Sequence, residues 1–163
     1  MASGAPVASA MMTLNAQFVH TNLIAQDWQK LAQFYEQVFG CRPVPPERNM
    51  EGDWLEAATG VPGAQIQGIH LRLPGHGDQG PTLEIFQYKP QEHALETAVN
   101  RPGLAHIAFS VDDVEAAVDA ILAAGGRTVG ETVSREIEGA GVITFAYVTD
   151  PEGNVIELQQ WLS

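Results

Sequence analysis

A chain of 163 residues that is 45% hydrophobic has the size and apolar content of one compact domain or two very small ones. Its net charge of −12, with eight Lys and Arg scattered from Lys30 to Arg135, leaves no basic stripe to follow a phosphate backbone, so no nucleic-acid partner is expected. Cys41 is the single cysteine, which rules out an intrachain disulfide and reads as a small core residue just past a helix end.

Residues 1–10 are small and apolar but carry neither a basic n-region nor a sustained hydrophobic run. They resemble neither a signal peptide nor a membrane span. Residues 1–14 are therefore read as a frayed tail, the cytoplasm as the default location, and a membrane partner as absent.

From residue 15 onward the chain repeats itself. With His20 placed over His106, Asp27 falls on Asp113 and Gly40 on Gly126, and the apolar runs between them coincide. Each copy, 15–99 and 100–163, opens with a short strand carrying a His, then a helix started by an Asp and stopped by a glycine. In the first helix Trp28, Leu31, Phe34, Tyr35, Val38 and Phe39 recur at helical spacing. In the second, Val114, Ala117, Val118, Ile121 and Leu122 do so, and Asp112 followed by Glu115 resembles a capping box.

Runs rich in β-formers follow, 66–73 in the first copy and 142–148 in the second, bounded by Pro and Gly turns. Each copy closes on a strand with a central Glu: Leu83-Glu84-Ile85-Phe86-Gln87-Tyr88 matches Ile156-Glu157-Leu158-Gln159-Gln160-Trp161. The first copy carries the longer insertion, placed at 51–63, where Asp53, Trp54, Gly60, Pro62 and Gly63 form either a rim over a ligand or a surface excursion. Arg101-Pro102-Gly103 reads as the linker. The repeated unit is thus a strand, a helix and several strands.

Side chains alternate across a strand, so Phe18, His20 and Asn22 share one face, Thr82, Glu84 and Phe86 another, and Val155, Glu157 and Gln159 a third. Each Glu opposes an aliphatic layer. With helices behind the apolar faces, His20, Glu84, His106 and Glu157 are free to meet in a concavity, where two carboxylates repel unless a divalent cation lies between them. One strand His or Glu is usually just a solvated side chain. The same pair arriving twice, in the same apolar setting, is what points to a metal centre.

These features resemble the vicinal oxygen chelate superfamily, which includes glyoxalase I, methylmalonyl-CoA epimerase, extradiol dioxygenases and the fosfomycin and bleomycin resistance proteins. The resemblance is carried by Gly103-Leu104-Ala105-His106-Ile107-Ala108-Phe109-Ser110-Val111-Asp112-Asp113 and by Asp150-Pro151-Glu152-Gly153-Asn154-Val155-Ile156-Glu157-Leu158. It implies an α+β fold of tandem βαβββ modules forming a half-open mixed sheet around a metal-binding concavity. It also implies a small-molecule carbonyl substrate and a homodimer, in which the metal site is sometimes shared between chains.

Two imidazoles and two carboxylates suit one divalent ion among Zn, Ni, Co, Mn and Fe. The full His, Glu, His, Glu set resembles bacterial glyoxalase I, in which a liganding Glu shuttles the proton. By that analogy Glu157, and after it Glu84, is the catalytic base of an isomerase, epimerase or lyase acting alpha to a carbonyl. The epimerase usually carries Gln in place of Glu84 and a further Glu on an inner strand of the first repeat. The run Ile66-Gln67-Gly68-Ile69-His70-Leu71 has no such Glu, and His70 reads as an exposed strand histidine ahead of a second acid/base. An iron-dependent extradiol dioxygenase needs only His20, His106 and Glu157, and a drug-binding resistance protein needs no ligand set. His76 and His93 read as loop residues without a role, and Tyr88 and Trp161 as packing residues.

Overall fold

The structure, a computed structural model, describes residues 14–162; nearly all of the expected tail lies outside the described residues. Twelve elements follow in chain order. The first half contains β1 (His20–Ile24), α1 (Trp28–Phe39), β2 (Arg42–Glu51), α2 (Asp53–Thr59), β3 (Gln65–Arg72) and β4 (Thr82–Lys89). The second contains β5 (Ile107–Ser110), α3 (Val114–Ala123), β6 (Arg127–Thr128), β7 (Val133–Ile137), β8 (Gly141–Thr149) and β9 (Val155–Leu162). No helix among the described residues is long and apolar enough to cross a membrane.

The repeat is visible in the topology. One sheet has the order β1-β4-β3-β2; the other runs β5-β9-β8-β6, with β7 also pairing β8. In each sheet the opening strand lies parallel to the closing one, β1 on β4 and β5 on β9, while the inner pairs are antiparallel. A parallel neighbour requires a long crossover, and α1 and α3 open those crossovers. The chain is thus a mixed α+β protein of two βαβββ modules, each with its own mixed sheet. The edge strand β2, rich in Pro, carries no strand signature in its residues; its counterpart is split into β6 and β7. Proline removes a ladder donor and is tolerated at such an edge.

Both helices start on the expected type of residue. Asp27 accepts a hydrogen bond from Lys30 N at 3.2 Å, and Asp113 accepts one from Ala116 N at 3.0 Å. Asp113, not Asp112, is therefore the cap of α3, and the Asp112–Glu115 capping box is not the device used. Gly40 ends α1 in a left-handed conformation, φ 66°, which glycine adopts without steric cost.

Leu31, Phe34 and Tyr35 on α1 and Val114, Val118 and Ile121 on α3 join a single core that also takes in Leu71, Leu83 and Ile85 from one sheet and Val148, Ile156 and Leu158 from the other. Phe39 stacks on Phe109 with ring centroids 4.0 Å apart. The layers run sheet, helix, helix, sheet. Since Leu83 and Ile85 face this core, Glu84 faces outward, and the same alternation turns Glu157 outward from Ile156 and Leu158. Within one chain the two polar faces point away from each other.

The conspicuous turn Asp150-Pro151-Glu152-Gly153-Asn154 binds the modules together. The buried Asp150 carboxylate accepts from Glu152 N and Asn154 N at 2.9 and 3.0 Å, from Asn154 Nδ2 at 2.8 Å, and from the Tyr35 hydroxyl at 3.0 Å. Burial pushes this carboxyl above its ordinary value, against the hydrogen bonds that lower it, and burial likewise pushes the Tyr35 hydroxyl up. Glu152 accepts from Gln26 N and Asp27 N at 2.7 and 2.9 Å, which places a carboxylate at the N-terminus of α1 where the helix dipole favours it.

Candidate metal centre

Glu84 sits in the middle of β4, with Asn22 of β1 opposite on one side and His70 of β3 opposite on the other. Register partners share a face, so all three side chains stand on the outer surface of the first sheet. His20 Nε2 lies 3.3 Å and Asn22 Nδ2 3.0 Å from Glu84 Oε2, while His70 Nε2 lies 2.9 Å from Oε1. His70 Nδ1 is in turn 3.3 Å from Thr82 Oγ1. The Glu84 side chain is only 11% exposed, so both carboxylate oxygens need these partners.

His70 was read from the sequence as an exposed strand residue, and the structure corrects that. Its side chain is 19% exposed and contacts Glu84 directly. Burial pushes its pKa below the usual imidazole value; Glu84 works the other way, and Arg48, His20 and Arg72 add to the lowering. A signal existed: folding the hairpin about the Pro- and Gly-rich stretch 74–81 sets residue 70 opposite residue 84. A turn of this length does not by itself fix the register, so the pairing leaves only a weak trace in the residues.

The insertion at 51–63 forms α2, whose Leu55 packs with Ala64, Ile66 and Phe86 and against Met50, Val61 and Tyr88. Ile66, Phe86 and Tyr88 belong to the same outer face as Glu84, and the Phe86 ring meets His70 edge to face at 5.7 Å. The helix therefore forms a wall beside the first His–Glu pair rather than a loose excursion. Gly68 lies between these residues, where an added Cβ would fall 2.0 Å from Ile85 O, so only glycine lets β3 approach β4 there.

The second pair is simpler. His106, one residue ahead of β5 rather than within it, places Nε2 3.0 Å from Glu157 Oε2. Glu157 has Ala108 and Tyr147 as its register partners. Tyr147 packs its ring on His106 at 5.3 Å. Among the described residues no group of three or more His, Cys, Asp or Glu is gathered in metal-binding geometry. One chain builds two His–Glu groups, His20 and His70 with Glu84 and His106 with Glu157, on opposite outer faces.

Each pair offers imidazole nitrogen and carboxylate oxygen, a donor set that fits a divalent ion of intermediate hardness. His76 and His93 lie in exposed stretches between elements. Tyr88 packs against the α2 cluster, whereas Trp161 is exposed and donates to Gln159 Oε1 at 2.9 Å.

Comparison with known proteins agrees with this architecture. The chain is 33% identical over 149 residues to a probable lactoylglutathione lyase of Vibrio parahaemolyticus, covering 90% of this chain and 91% of that protein. It is 23% identical to a mitochondrial methylmalonyl-CoA epimerase of Dictyostelium discoideum, covering 86% of this chain and 76% of the relative. A glyoxalase family protein from Bacillus cereus superposes with a TM-score of 0.72 at 23% identity, covering 96% of this chain and all of that one. The model of the Glyoxalase/Bleomycin resistance protein/Dioxygenase superfamily matches residues 17–158, and the chain belongs to that superfamily.

Proposed function

We propose that this protein is a divalent-metal-dependent isomerase or lyase of the glyoxalase I type, moving a proton alpha to a carbonyl of a small-molecule substrate. The reading rests on one observation above all: His20 with Glu84 and His106 with Glu157 occupy corresponding places on two sheets. The 33% identity to a probable lactoylglutathione lyase over nine-tenths of both chains supports it.

The two pairs face apart within a chain, so a homodimer is the natural way to complete a four-ligand site, His20 and Glu84 of one copy meeting His106 and Glu157 of a second. The strands nearest the pairs, β1 and β5, are sheet edges. Exposed apolar side chains lie on or beside them, Phe18 and Val19 just ahead of β1, Ile24 at its end and Leu104 before β5. Open edges and exposed apolar groups of this kind suit association.

The ion, when bound, supplies Lewis acidity that stabilises negative charge developing on a substrate oxygen. The protein's share is orientation and proton transfer. His20 and His106 act as neutral donors, and a carboxylate oxygen of Glu157 takes the proton beside the carbonyl and returns it at the neighbouring carbon. The α2 wall, with Phe86 and Tyr88, limits water on the side of Glu84.

The test pairs two variants, His20→Ala/Glu84→Ala and His106→Ala/Glu157→Ala. Each alone should lose bound metal by elemental mass spectrometry and lose formation of lactoylglutathione. Co-expressed, they should regain both in the mixed dimer, in which one composite site keeps all four residues. No recovery would sink the shared site; unchanged metal and turnover in the separate variants would sink the metal reading. Iron in the wild type with turnover of catechols would favour a dioxygenase, and no metal after reconstitution a small-molecule-binding resistance-type protein.

A further inference from the structure

We infer that His70 and Asn22 are positioning residues that clamp Glu84 by both carboxylate oxygens, making it the stationary acid of the centre and leaving Glu157 as the movable one. This rests on the metal-centre reading above. Asn22 Nδ2 donates to Oε2 at 3.0 Å, and His70 Nε2 approaches Oε1 at 2.9 Å. For Nε2 to donate, a neutral ring must accept at Nδ1, and the buried Thr82 hydroxyl at 3.3 Å supplies that proton. A relay Thr82 to His70 to Glu84 fixes ring orientation and carboxylate together.

The repeat provides the internal control. At the places of Asn22 and His70 the second sheet has Ala108 and Tyr147. Alanine offers Glu157 no side-chain donor, and Tyr147 turns its ring to His106. Among the described residues, His106 is the one side chain bonded to Glu157. Two carboxylates at corresponding positions thus differ in freedom: one is held at both oxygens, the other at one. A carboxylate that must swing toward a substrate proton needs the second arrangement, and a permanent ligand gains from the first because its orientation is set before the ion arrives.

The test is cobalt(II) binding to chelator-stripped protein, followed by visible absorbance and calorimetry. Outer-sphere partners of metal ligands typically contribute 10- to 100-fold in affinity, and His70→Leu is expected to weaken cobalt by roughly that factor. His70→Gln, which keeps a donor near Nε2, should recover most of the loss. At saturation the cobalt band positions of His70→Leu should match wild type, because the ligand set is unchanged. Unaltered affinity in His70→Leu, or no recovery in His70→Gln, overturns the clamp. A shifted spectrum at saturation also overturns it, by making His70 itself a ligand. Wild type that takes up no cobalt removes the metal centre along with the clamp, whereas wild type that binds it while His70→Leu is indifferent removes the clamp alone.

Discussion

The two modules share a plan and differ in how they hold their glutamate. In the first, Glu84 is enclosed by His20, Asn22 and His70, and α2 closes one side of the face through Leu55, Ile66 and Phe86. In the second, among the described residues, Glu157 meets His106 alone and no helix covers the sheet front. Duplication supplies matched strands and a matched His–Glu pair. Substitution at two register positions and one insertion then separate a rigid half from an open one.

The sharpest way to break this contrast is to neutralise each carboxylate in turn. Glu157→Gln should lower kcat of the metal-loaded enzyme by about 10²- to 10⁴-fold, the range of a lost general base. Glu84→Gln should act mainly on metal affinity. Equal losses of kcat in the two fully loaded variants would show that the halves are equivalent. Next in size is the joint between the modules. Phe39→Ala removes the stack on Phe109 and should cost about 3 kcal/mol, the low end for a truncated phenylalanine because Phe39 is only partly buried. Denaturant unfolding measures it, and loss of a single cooperative transition would show the modules melting apart.

Tyr35→Phe tests the same joint more gently, removing one donor from buried Asp150 at about 1–3 kcal/mol. Its pH dependence has a definite sign. Burial raises the Asp150 carboxyl above 3.8, so ionising it costs stability, which is greatest below 3.8 and lost as pH rises through the folded value. Asp150→Asn should remove that part of the slope, and an unchanged slope would mean that another group carries it. A smaller effect is expected from giving Glu157 the donor it lacks. Ala108→Asn should slow turnover about fivefold, the equivalent of one net hydrogen bond near 1 kcal/mol, and a faster enzyme would contradict the need for a free Glu157. Last, Cys41, buried and pushed up to about 11 by desolvation, should stay unreactive toward thiol reagents at pH 8 until the chain unfolds. Rapid labelling of the native protein would mean that this end of α1 opens.

Much of this was legible in the residues, for reasons that can be named. Helices α1 and α3 announce themselves by apolar spacing and an Asp cap, and α1 also by a glycine stop, all local. The faces carrying Glu84 and Glu157 follow from alternation, since Leu83 and Ile85, or Ile156 and Leu158, must turn toward a core. The resemblance motifs proved to have two tasks: one bears His106, while Asp150 and Glu152 in the other tie the second module to α1.

The sequence by itself determined the repeat, the fold class and the four residues placed alike in both copies, because periodicity and capping act over a few residues and leave a linear trace. Only the tertiary structure decided that His70 and Asn22 grip Glu84, that α2 walls one face, and that the two pairs look away from each other. Those outcomes depend on strand register, and on the shared helix core that draws both sheets back to back and turns their polar faces outward.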